Sequence, residues 1–157
     1  MPNRPTRVSL EPEPRRKLAA ELFNYAWTLL EKPDRTEAET EVMINAAHAS
    51  RLFWDEIGEP VNHARGEWQI SRAYAVAGRP EPALHHALRC LAICEEHGIG
   101  DFDLAYAYEG LARAYAVAGD RAAAALWAHQ ATDSVARVAE LEDRTLLLKD
   151  LATLPRI

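Results

Sequence analysis

The string "RAYAVAG" occurs twice in this chain, from Arg72 to Gly78 and again from Arg113 to Gly119, forty-one positions apart. Recurrence at a long fixed period marks a structure made by stacking one unit, and it constrains the fold more than any bulk property does. Sliding the chain by forty-one carries the match further. Ala83 falls on Ala124, Ala87 on Ala128 and Cys90 on Ala131, and a second slide puts Ala46 on Ala87 and Ala49 on Cys90. The N-terminal copy keeps this register of small residues but lacks the string. Small residues at fixed places let two helices approach closely, so each of three units reads as a pair of antiparallel helices.

Helix punctuation supports that division. In the third unit Tyr108, Leu111 and Tyr115 recur at i, i+3 and i+7, one buried face of a helix running from about residue 103 to 118. Gly119 ends it, and Asp120 caps a second helix expected over about 121–138. In the second unit Pro60 and Pro80 open helices, and Gly78 and Gly98 close them. The first unit has an opening helix over about 14–31, cut by "KPDRT", and a second over about 37–57. The tail "EDRTLLLKDLATL" predicts one more helix, whose Leu146, Leu147, Leu151 and Leu154 cover the otherwise exposed end of the stack. Residues 1–13 read as a flexible, basic, proline-containing lead-in, and 14–157 as one all-α domain.

The segment "YEGLARAYAVAGDRAAAALWAHQA", Tyr108 to Ala131, resembles a tetratricopeptide repeat. Tyr108, Leu111, Ala112 and Tyr115 fit the family's W-x2-L-G-x2-Y spacing, and Gly119, Ala124 and Ala131 match its turn glycine and the small residues of its second helix. Ile70, Ser71, Tyr74, Gly78, Ala83 and Cys90 support a second such unit. Two features depart from the family. Ala128 stands where an aromatic is usual, and no proline closes the unit, which also exceeds the usual length of about 34 residues. The resemblance, shared with stand-alone bacterial proteins built from such units, implies a TPR-like α-solenoid of about three hairpins plus a C-terminal capping helix. It also implies that the first helix of each pair lines a concave side.

Residues facing away from the Tyr108/Leu111/Tyr115 stripe would line that side. They are Tyr106, Glu109 and Arg113 in the third unit, Arg65, Trp68 and Arg72 in the second, and Asn24, Trp27 and Glu31 in the first. Asn62 and Asp103 lie one helical step away, at the mouth. Arg, Trp and Tyr are the side chains that dominate binding hot spots, and arginine grips carboxylates and phosphates with paired bonds. The expectation is a non-catalytic module that binds a peptide segment of a protein partner, or a small anionic ligand. Arg65, Arg72 and Arg113 would be the anion donors, and Trp27, Trp68 and Tyr106 the walls. The competing reading is structural: Glu109 and Arg113 form an i, i+4 pair, Arg72 pairs with Glu31 or Glu109 across helices, and the tryptophans are core.

The alternative from another class is a metal-binding protein or enzyme using His48, His85 and His86. His86, Cys90 and Cys94 form an i, i+4, i+8 stripe, and ligands at i, i+4 can share a zinc ion. Cys90, however, occupies the small slot of Ala49 and Ala131, which reads as core. His48, Arg51, Asp55 and Glu56 share a helix face that reads as solvated. Ser50 and Ser71 read as packing residues rather than nucleophiles, since neither comes with an oriented base in sequence. No glycine-rich phosphate loop is present, and no cofactor is expected. The net charge of −6 argues against nucleic acid. No apolar run reaches the roughly 20 residues of a membrane span, the first residues lack the apolar core of a signal peptide, and two cysteines make no disulfide framework, so the expected compartment is the cytoplasm. Self-association into a homodimer through Trp54 or Trp127 is a further option.

Overall fold

The structure, a computed structural model, describes residues 9–156. Those residues form seven α-helices and a short 3-10 turn, with no strand: α1 (Pro12–Glu31), α2 (Glu37–Trp54), α3 (Pro60–Val76), α4 (Pro80–Glu96), α5 (Asp101–Ala118), α6 (Arg121–Ser134), the turn Val135–Arg137, and α7 (Leu141–Leu151). No helix among them is long and apolar enough to cross a membrane. Most of the lead-in expected over residues 1–13 lies outside the described residues. Its last two residues already belong to α1, because Pro12 suits the first helical position, where no N–H is needed.

The boundaries follow local chemistry. The Thr36 hydroxyl and the Glu39 carboxylate exchange hydrogen bonds with each other's backbone N–H and open α2. Asp120 accepts from the Ala123 N–H at 3.0 Å and opens α6. In the loop "KPDRT" one guanidinium nitrogen of Arg35 donates to the carbonyls of Leu29, Leu30 and Lys32 and so closes the C-terminal end of α1. The two copies of the repeated string end alike, with Gly78 at φ 71° and Gly119 at φ 81°. A Cβ at Gly119 would meet nothing within 4 Å, so the glycine is there for its left-handed backbone alone. Gly119→Ala should therefore cost about 1 kcal/mol, and Gly119→Asn less, in urea unfolding. Equal stability of all three proteins would show that the turn relaxes freely.

Each helix packs on the next, most extensively within α1–α2, α3–α4 and α5–α6. The odd helices also touch in order, α1 on α3, α3 on α5 and α5 on α7, whereas α2, α4 and α6 share no comparable contact. The layer of odd helices is thus the tighter one. Small residues make the close approach possible: Ala73, Ala83, Ala87, Ala112, Ala114 and Ala131 are all buried. Ser50 and Ser71 play matching parts inside two hairpins. Ser50 Oγ donates to the Ala19 carbonyl and Ser71 Oγ to the Ala83 carbonyl, both at 2.7 Å, so each buried hydroxyl finds its partner on the facing helix.

Helix α6 is shorter than the expected 121–138. The Ser134 hydroxyl turns back to the Ala131 carbonyl at 2.6 Å. The 3-10 turn then sends Val138 into the core, and the Ala139 N–H reaches Asp101 at 3.3 Å. This bend, rather than a straight continuation, returns α7 to the side of α5. Trp54 and Trp127 are both partly covered, Trp54 by the Arg16 guanidinium 5.4 Å from its ring and Trp127 by stacking on Tyr108 at 5.8 Å.

A candidate binding cleft between the odd helices

The layer of odd helices encloses a cleft of about 500 Å³, with Phe23, Asn24 and Trp27 from α1, Arg65 and Trp68 from α3, Phe102, Asp103 and Tyr106 from α5, and Asp143 and Leu146 from α7 around it. Ala64 and Cys90 form its floor. Its walls are one connected set of rings. Trp27 meets Trp68 at 5.7 Å between centroids, Trp68 meets Tyr106 edge-on at 5.4 Å, and Tyr106 meets Phe102 at 4.7 Å. Trp68 lies this close to α5 because Gly110 faces it: a Cβ there would stand 3.3 Å from the indole.

Each polar tip on those rings is already used. The Trp27 indole N–H donates to Glu31 at 2.9 Å, the Trp68 indole N–H to Glu109 at 3.3 Å, and the Tyr106 hydroxyl to Asp150 at 2.7 Å. Burial and then the Asp150 carboxylate push the Tyr106 hydroxyl well above its ordinary value, so it remains a donor. At the rim Arg65 makes a two-bond pair with Asp103, at 2.8 and 3.0 Å.

Beneath the cleft Glu109, with 0% exposure, is the hub of a charged network. Arg72 donates to it at 3.0 Å and Arg113 at 2.8 Å. Arg113 also donates to the Asp150 carbonyl and to Thr153, which fastens the end of α7 onto α5. Of the ten residues expected to line an open trough, Asn24, Trp27, Arg65, Trp68 and Tyr106 do surround the cleft. Glu31 holds the Trp27 indole from an exposed position. Asn62 is spent on helix capping, its side-chain oxygen accepting from the Glu59 N–H at 2.9 Å. Arg72, Glu109 and Arg113 do not line the cleft. They face one another and Asp150, so the two arginines expected to be open anion donors are instead neutralised within the fold.

Phe23, Phe102, Asp143 and Leu146 were not among the expected lining residues. For the α7 contributions a signal existed: the forty-one-residue slide that sets Trp27 on Trp68 and Trp68 on Glu109 also sets Glu109 on Asp150. The tail continues the register of the first helices, although its apolar residues have changed too much for the motif to be recognised.

A second polar cluster joins α2, α3 and α4. Glu67, 3% exposed, accepts from His86 at 2.6 Å, Arg89 at 3.0 Å and Arg51 at 3.2 Å. His48 bonds the Tyr74 hydroxyl at 2.8 Å, and its ring lies 5.4 Å from that of His86. Burial, and then the adjacent His86, hold His48 below its ordinary value. Burial pushes Glu67 up, but the hydrogen bonds from His86 and Arg89 outweigh it and bring the carboxyl down to about 2. His85 stacks edge-on against His86 at 4.9 Å but turns to the exterior. Among the described residues no three His, Cys, Asp or Glu side chains are arranged to hold a metal ion. Cys90 and Cys94 are both buried, and the Cys94 contact, together with burial, holds the Cys90 thiol well above its ordinary value. No family model matches the chain, and neither a curated protein nor a solved structure resembles it significantly.

Proposed function

We propose that the chain is a non-catalytic interaction module of TPR-like solenoid form, acting in the cytoplasm, that takes a segment of a partner protein into the cleft between α1, α3, α5 and α7. The observation that carries this reading is the aromatic wall. Trp27, Trp68, Tyr106, Phe23 and Phe102 come from three helices and converge on one concavity of a size that suits small ligands or a few side chains. Residues forty-one apart also touch: Trp27 on Trp68, and Trp68 on Glu109. Contact between equivalent positions is what stacked repeats produce, and it supports the solenoid arrangement. A peptide fits the cleft better than a small anion, because the arginines nearest to it already bind carboxylates.

Selection of random twelve-residue peptides displayed on phage tests this proposal. Enriched peptides should bind the wild-type protein and lose at least about tenfold in affinity to Trp27→Ala and Leu146→Ser, both of which should keep the helical circular dichroism of the parent. Enriched peptides that bind the two variants undiminished, or no enrichment at all, would remove the cleft as a binding site.

A further inference from the structure

We infer that the cleft is built for a positively charged side chain, so that the partner segment presents an arginine or lysine to the aromatic corner formed by Trp27, Trp68 and Tyr106. This rests on the cleft being the binding site. Three features of the structure point the same way.

The charge around the opening is unbalanced. Among the described residues Arg65 is the one cation lining the cleft, and it is held bidentately by Asp103. Asp143 also faces the cleft and makes no hydrogen bond or ion pair among the described residues. Asp143 acts on Arg65 through space as well, so two carboxylates share one guanidinium. A cation entering the cleft meets a net negative rim, whereas an anion meets a guanidinium whose charge is already matched.

The walls also offer few donors. The indole N–H of Trp27, the indole N–H of Trp68 and the Tyr106 hydroxyl all donate outward, to Glu31, Glu109 and Asp150. Of these three residues only ring surface remains toward the cleft, beside the Asn24 amide, whose oxygen can also accept from a cation. Ring surface attracts cations through its quadrupole. All three acceptors, moreover, are carboxylates. A ring whose N–H or O–H is hydrogen-bonded to an anion gains electron density, which deepens the attraction of its face for a cation. The rings are also held rigidly by these bonds, so little freedom is lost when a guest enters.

Titration with three capped amino acids tests the inference: N-acetyl-arginine methylamide, the neutral norleucine analogue and the glutamate analogue. The readout is the pair of indole N–H resonances of Trp27 and Trp68. The arginine probe should shift both and bind at least about tenfold more tightly than norleucine. That preference should collapse in Asp143→Asn and return in Asp143→Glu, with circular dichroism unchanged in both. Norleucine binding as tightly as arginine would overturn the charge preference and leave the peptide cleft standing. The glutamate probe binding tightest would replace it with the anionic reading. If none of the probes moves either indole while displayed peptides still bind through the cleft, the inference falls alone. If the displayed peptides fail as well, both fall.

Discussion

Glu109→Ala should lower the stability of the protein by about 3–5 kcal/mol, enough to unfold a large share of the molecules under mild conditions. The reason is position. Glu109 is fully buried and takes hydrogen bonds from Trp68, Arg72 and Arg113. Removing it leaves Arg113, itself 6% exposed, with backbone and hydroxyl acceptors only, and leaves Arg72 with the more distant Asp150 at 3.6 Å. A buried charge without its counter-charge is among the most costly states a fold can contain, whereas the intact pair contributes far less than this loss suggests. One Glu109 oxygen accepts from the indole and the other from both arginines, so Glu109→Gln keeps only one of these two acceptors, and it should lie between the alanine variant and wild type. Urea unfolding with tryptophan fluorescence gives all three values. A loss under about 1 kcal/mol for Glu109→Ala would mean that water reaches the network readily. The result also bears on binding. Arg113 shares this network, so an Arg113→Ala protein that fails to bind would have lost its fold first, and only Arg65 among the three arginines can be changed without touching Glu109.

The two kinds of pattern in the sequence differed in how far they reached. Helix number and the boundaries marked by proline, glycine or a cap were legible because they depend on local chemistry: Pro60 and Pro80 at helix starts, Gly78 and Gly119 at stops, Asp120 as a cap. The ends of α2 and α6, which carry no such mark, fall at Trp54 and Ser134, short of the expected 57 and 138. The convergence of Asn24, Trp27, Arg65, Trp68 and Tyr106 was legible too, since the repeat sets equivalent residues side by side. What local pattern did not give is how charges pair once they are side by side. Arg72 had two acidic candidates, Glu31 and Glu109, and spacing on separate helices could not choose between them. The structure selects Glu109 and gives Glu31 to the Trp27 indole. Nor did pattern show the bend at Ser134 that ends α6 early, because a hydroxyl competing for a helix carbonyl leaves no mark in hydrophobic periodicity. The His48–Tyr74 and Glu67–His86 contacts were invisible for the same reason: each joins different helices, and the face of α2 bearing His48 and Arg51 read as solvated, though both point inward toward α3.

That inward-facing cluster should make the protein sensitive to acid. The Glu67 carboxyl sits at about 2, below its ordinary 4.5, so the folded state holds its proton less tightly than the unfolded chain does. The stabilisation is therefore complete above pH 4.5 and disappears as the pH falls through about 2. The shift corresponds to about 2–3 kcal/mol once some solvent screening is allowed for. Glu67→Gln should be less stable than wild type by that amount at pH 6, with the gap shrinking toward zero as the pH approaches 2. His48, whose lowered value makes it a second source of acid sensitivity beginning below its ordinary 6.5, is itself raised by the Glu67 charge, so the difference between the two proteins reports Glu67 together with its coupling to His48. The measurement is a set of urea midpoints for both proteins between pH 6 and pH 2. A gap that stays constant across that range would mean that Glu67 is held by packing rather than by its charge, and the contacts with His86, Arg89 and Arg51 would then carry none of the acid sensitivity.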